Sequence, residues 1–210
     1  TLPSKLPPHE QLVVIDRAGR VVTTLNGSSS SVPIDGDLAD RLNRADDRFV
    51  IIHNHPAGHG LAQDDLGLLT KPGVAGVIAV GNDGSLYAAS LGQPYLSSVA
   101  GASPTTVAGF VLPGHPTVMT FVARARVEIG CLRGKPTGID AAIFRSHFDH
   151  LVGLALGHAG ALQYGSVLGV VRRKSFDRYR DDFIRMTEEA GREVKLAMTR
   201  RPRGAPATDR

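Results

Sequence analysis

Residues 50–66 read Val-Ile-Ile-His-Asn-His-Pro-Ala-Gly-His-Gly-Leu-Ala-Gln-Asp-Asp-Leu, and they hold the side chains best suited to chemistry. The β-branched run Val50-Ile51-Ile52 predicts a strand that leads directly into His53 and His55. Residues i and i+2 of a strand share a face, so both imidazoles are expected to point the same way. A carboxylate pair, Asp64-Asp65, then opens the helical pattern Asp65-Leu66-Gly67-Leu68-Leu69. Two imidazoles and one carboxylate, with a fourth position left to water, form a common catalytic zinc shell. A His-x-His pair on its own is more often an ordinary surface strand than a pair of ligands.

The run His53-Asn54-His55-Pro56-Ala57-Gly58 resembles the JAB/MPN-type metallopeptidase family, and in particular its bacterial branch typified by the DNA-repair-associated RadC proteins. That branch carries His-x-His-Pro-x-Gly, a short loop, then Ser-x-x-Asp. The second element aligns onto Ala62-Gln63-Asp64-Asp65, so the resemblance gives Asp65 the third ligand position; a shift of one residue gives it to Asp64. The loop is one residue shorter than the usual form, a deletion most easily absorbed among its glycines. Ala62 stands where the family has a serine thought to hold the polarised carbonyl. Metal binding is therefore implied more directly than turnover, with Gln63 or a backbone N–H as the alternative donor; His59 could be a spare ligand or a substrate contact, but a solvated loop histidine is the preferred reading. The resemblance also implies an upstream glutamate as general base, and it falls on Glu10, which no other glutamate precedes or follows before Glu128. The implied chemistry is zinc-assisted hydrolysis of a peptide or isopeptide bond.

The elements around these residues follow from local pattern. Gln11–Asp16 and Val21–Leu25 read as a hairpin around Arg17-Ala18-Gly19-Arg20. Asp37–Arg44 reads as a helix capped near Asp35 or Asp37. Val74–Val80 and Ser85–Ala89 read as strands joined by the turn Gly81-Asn82-Asp83-Gly84. The expectation is an α+β fold: a mixed-sheet JAB-like zinc domain over residues 1–98, then a mainly α-helical domain over 105–210 with no recognised family. Its helices are expected at Thr117–Leu132, Asp140 to about Val171, and Ser175–Thr199. Phe176, Tyr179, Phe183, Met186, Ala190 and Ala197 form a stripe that reads as core or a partner seam. His147, Asp149 and His150 make a tempting second cluster, yet with no third ligand evident a solvated helix face is the preferred reading.

Composition bounds the rest. The 210 residues can bury a sizeable core, and the single cysteine, Cys131, cannot close an internal disulfide. No signal-peptide pattern is evident, and a start at Thr1 suits a fragment of a longer protein, cytoplasmic or delivered to another cell as a toxin or effector. Residues 1–121 carry seven Lys/Arg against ten Asp/Glu, and residues 122–210 seventeen against ten. A basic second half could meet nucleic acid, as RadC likeness suggests. Much of that charge sits in Arg172-Arg173-Lys174 and the tail, without aromatic interleaving, so a protein or peptide substrate and a partner protein on the helices are preferred. Leu151–Val171 has no charged residue but contains five glycines, His158 and Gln163, which favours a packed helix or a broken pair over a membrane span.

Overall fold

The computed structural model describes residues 9–92 apart from 30, 45 and 47, together with residues 118–133 and 138–199. Six strands form one mixed sheet: β1 (Gln11–Ile15), β2 (Val21–Asn26), β3 (Phe49–His55), β4 (Val74–Gly81), β5 (Leu86–Leu91) and β6 (Leu162–Val167), in the order β2-β1-β3-β4-β5-β6. β3 and β4 run parallel, and every other neighbouring pair is antiparallel. The fold is α+β, as the sequence pattern predicts. The parallel pair needs a crossover, and residues 56–73 provide it. That crossover contains the candidate metal loop, helix α2 (Gln63–Gly67) and a 3-10 turn at Leu68–Thr70.

One face of the sheet is the core face. Leu12 and Val14 of β1, Phe49 and Ile51 of β3, Val77 and Ala79 of β4, and Tyr87 and Ala89 of β5 are all buried there. The alternate residues Val13, Ile52, Ile78 and Ala88 are only half-buried. This period-two split is the alternation of a sheet with one packed face. Each aliphatic side chain fully buried on that face contributes roughly 1.5–3 kcal/mol. Helix α1 (Gly36–Leu42) packs Leu38 and Leu42 into the same core. Its N-cap is Asp35, whose Oδ1 accepts from the Leu38 N–H at 2.8 Å, a bond worth about 1 kcal/mol.

The second half departs from expectation. Helix α3 (Val118–Arg133) is close to its predicted span. The expected long helix from Asp140 to Val171 is instead helix α4 (Ala141–Ala159), strand β6, and the start of helix α5 (Val170–Arg178). Asp140 caps α4, and Gly160 ends it with a left-handed φ of 78°, a turn that glycine adopts without steric cost. Leu162-Gln163-Tyr164 then pairs with β5, from Leu162 opposite Leu91 to Val167 opposite Leu86. The uncharged run is thus a broken pair of elements that adds an edge strand to the sheet. The second half therefore shares the first half's sheet; the boundary expected between residues 98 and 105 lies outside the described residues. No helix among the described residues is long and apolar enough to cross a membrane.

Helix α6 (Arg180–Thr199) buries Phe183, Met186 and Ala190 of the predicted stripe, together with Val194, and Ala197 packs half-buried against the same core. Phe176 and Tyr179 belong to α5 and its cap and pack at the edge of that core. Gly191 lets α6 approach α4 closely: a side chain there would come 2.8 Å from the His158 Cβ.

His147 and His150 are not on a solvated face, contrary to expectation. They are 0% and 2% exposed, among Phe176, Phe183, Tyr87 and Tyr164. His147 Nε2 lies 2.8 Å from the Ser175 hydroxyl, and His150 Nδ1 lies 3.1 Å from the Tyr164 hydroxyl. Asp149 points elsewhere and pairs with Arg126 at 2.7 Å. Burial lowers the His147 pKa to about 4, with nearby Arg172 lowering it further and Asp83 opposing. Burial, His147 and Arg172 lower that of His150 to about 3. Both values lie below the unfolded 6.5, so the unfolded chain takes up these protons first as pH falls. Their contribution to stability is complete above pH 6.5 and is lost on the way down through pH 4 to 3. We expect the urea midpoint of chelator-treated protein to drop between pH 7 and pH 4.5, and to drop less in His147→Gln. Equal pH slopes in the two proteins would remove His147 from the acid response.

Candidate metal centre

The site forms where β3 ends and the crossover begins. His53 and His55 stand on the core face of β3, 5% and 8% exposed. Their Nε2 atoms are 2.8 Å apart. Asp65, at the third position of α2, places Oδ1 3.3 Å from His53 Nε2 and Oδ2 3.3 Å from His55 Nε2. Asp64 is exposed on the same helix, so the geometry selects Asp65 between the two registers. Among the described residues, these three are the one His/Cys/Asp/Glu group close enough to share an ion.

The donor set fits zinc. Ligands 2.0–2.1 Å from a tetrahedral ion stand about 3.3 Å from one another. Each imidazole stands at that distance from one Asp65 oxygen, His53 from Oδ1 and His55 from Oδ2, and the imidazole pair would open by about half an ångström. The tautomer is also prepared. His55 Nδ1 lies 2.8 Å from the His59 carbonyl, which can only accept, so Nδ1 carries a proton. Nε2, now bonded to Asp65, is the nitrogen that would offer its lone pair to an ion on losing its own proton. His59 itself is exposed and serves the site through its main chain. Burial opposes charge on Asp65, but hydrogen bonds from His53 and His55 outweigh it and hold the carboxyl well below the usual range. Burial also opposes charge on His55; the hydrogen bond and charge of Asp65, the His59 carbonyl and the charge of Glu10 together raise its pKa.

Glu10 lies one residue before β1. The β1–β3 register ends with Leu12 opposite His53, and the alternation of β1 gives Glu10 the same face as Leu12. Glu10 is half-buried and close enough for its charge to act on His55. Ala62 is the N-cap of α2, and its N–H donates to Asp65 Oδ2 at 2.6 Å. This is half of a capping box: alanine has no oxygen to return a bond to the helix. The Ala62 N–H is thus already engaged, while the Gln63 side chain is exposed beside the site.

The loop from Pro56 to Leu61 is braced by residues distant in sequence. Arg172 of α5 is 9% exposed; its Nε donates to Asp83 Oδ2 at 2.8 Å and its Nη2 to the Ala57 carbonyl at 3.3 Å. Its Nη1 also bonds the Ser146 carbonyl. Tyr87 donates to the Gly58 carbonyl at 3.3 Å, and Gly60 sits so close to α4 that a side chain there would come 2.7 Å from the His150 nitrogen. Sequence reasoning did not single out Arg172, Asp83 or Asn54. Arg172 looked like part of a solvated basic run, and only its isolation behind twenty-one uncharged residues hinted otherwise. A surface groove lined by Ile15, Arg48, Val50, Ile52 and Ile78 lies on the opposite face of the sheet, away from the triad.

A comparison with protein-family models, with curated proteins and with solved structures returned no match to this chain. The site therefore stands on its own geometry. We expect one zinc per chain by elemental analysis, lost in His53→Ala, His55→Ala and Asp65→Ala and retained in Asp64→Ala. Zinc retained at full level in the double histidine variant would remove the metal site. Ala62→Ser should complete the capping box and stabilise the protein by about 1 kcal/mol, read as a raised urea midpoint at unchanged zinc content. A lowered midpoint would show that the loop cannot accept a hydroxyl there.

Proposed function

We propose that this chain is a zinc-dependent hydrolase of the JAB type, acting on a peptide or isopeptide bond of a protein or peptide substrate. The observation that carries the reading is the convergence of His53, His55 and Asp65 with Glu10 on one face at one end of the sheet. Zinc, when bound, lowers the pKa of its water to about 7 and polarises a carbonyl oxygen. His53, His55 and Asp65 would hold it. Glu10, an anion beside the site and outside the ligand set, would take the proton of the attacking water and pass it to the leaving amine. The His59 carbonyl keeps His55 in the ligand tautomer, and the Arg172 bracket keeps the loop in place. Gln63, exposed at the helix start, would donate to the substrate carbonyl as it gains charge.

A second reading, a metal-binding scaffold without turnover, draws on Ala62: its hydroxyl-free side chain and occupied N–H leave that position without a donor. Glu10→Gln separates the two. It keeps the shape of the side chain and removes the proton acceptor. If the chain is a hydrolase, zinc content and folding should be unchanged while the rate on a peptide and isopeptide substrate panel falls by about a hundredfold or more. Undiminished turnover in the variant would take Glu10 out of the mechanism. Stoichiometric zinc with no turnover in the parent protein would favour the scaffold.

A further inference from the structure

Between the two histidines stands Asn54, only 6% exposed, whose amide turns toward the first strand. Its Oδ1 accepts from the Gln11 N–H at 2.5 Å, and its Nδ2 donates to the His9 carbonyl at 3.0 Å. These two backbone groups flank Glu10. On the other side the first hairpin holds Glu10 by its own main chain: its N–H donates to the Ser28 carbonyl at 2.7 Å, and its carbonyl accepts from the Gly27 N–H at 2.8 Å. The backbone at Glu10 is therefore gripped from both sides, and one grip comes from the very strand that carries the histidines.

The substitution of a side chain for the ladder has a physical consequence. β1 and β3 pair as far as Leu12 and His53. The next ladder step would pair Gln11 with Asn54, and the one after it would make Glu10 and His55 a direct cross-strand pair, with Cβ atoms about 4.5–5.5 Å apart. A carboxylate and an imidazole so placed would bond each other. The Asn54 amide stands in for a peptide group at the Gln11–Asn54 step, and both polar backbone groups beside Glu10 stay satisfied. The task needs an acceptor and a donor on the two arms of one planar group. An amide has both; a carboxylate only accepts, and an aliphatic side chain does neither.

We propose that Asn54 is a positioning residue, a clasp on residues 9–11 that sets the distance between the Glu10 carboxylate and the His53–His55–Asp65 centre. It rests on the metal-site reading for its consequence, but the clasp itself is independent of it. The test uses the full 210-residue chain with cobalt(II) as the probe and carbon-13 in the glutamate carboxyls, Glu10 being assigned by its loss in Glu10→Gln. Cobalt broadens and shifts nearby nuclei steeply with distance. In the parent protein the Glu10 signal should be strongly affected. In Asn54→Ala and Asn54→Asp that effect should shrink, while the shifted imidazole signals of His53 and His55 stay where they are. A Glu10 signal unchanged in both variants would overturn the proposal.

A second measurement needs no variant to fold. The Gln11 amide should exchange with deuterium far more slowly than an exposed amide in the parent protein, and exchange at the exposed rate would also overturn the clasp. Should the parent protein fail to take up cobalt at all, the hydrolase reading would fall, and the Gln11 exchange rate would still decide the clasp.

Discussion

The candidate site depends on the register in which Gln11–Ile15 pairs with Phe49–His55. Side chains of a strand change face at every residue, so a slip of one position would turn Glu10 away from His55 and expose Leu12 and Val14. That slip is opposed by the core. Leu12, Val14, Phe49 and Ile51 are all close to fully buried on the same face as the histidines. The aliphatic packing that stabilises the sheet therefore also fixes which polar side chains meet at its end. Stability and chemistry here share one determinant, and neither can be varied freely without the other.

Much of this was legible in the sequence. The β-branched run before His53, the Asp35 cap and the Asn-Asp-Gly turn each act within a few residues, and local pattern reads such signals well. The shared face of the two histidines follows from strand alternation, whereas the choice of Asp65 rested on the family resemblance, which left Asp64 as the alternative. Strand β6 did not follow. Its six residues are hidden in a run without charge, where length alone argued for helix, and only Tyr164 and Val167 favour a strand. His147 and His150 were misjudged for a related reason. Their spacing is that of a helix face, but what buries them is Tyr164, Ser175, Phe176 and Phe183, supplied by three other elements.

The same distance effect governs the basic half. Arg172 reads as one of three cations in a row, yet its neighbours Arg173 and Lys174 are exposed while it is nearly enclosed. Asp83 answers its charge and is in turn held below the usual carboxylate range: burial resists, and the Arg172 hydrogen bond and the Ser85 N–H prevail. A buried guanidinium with a carboxylate and two carbonyls is satisfied in most of its donor directions, which is what makes its burial tolerable. Part of the apparent positive charge of this half is thus internal structure. Charge counted along the chain overstates what a partner would meet.

The Arg172 bracket has a bearing on how the protein comes into being. Ala57 and Arg172 are 115 residues apart. At roughly 5–20 residues added per second, the nascent chain carries its histidine pair for about ten seconds before the brace exists. Strands β1 to β5 can pair in that interval, since each is made before the residue that completes the loop. The loop acquires its final shape late, when α4 and α5 dock behind it. An ion captured earlier would be held by a loop still free to rearrange, so any tight retention of metal would have to wait until Arg172 has been made and docked.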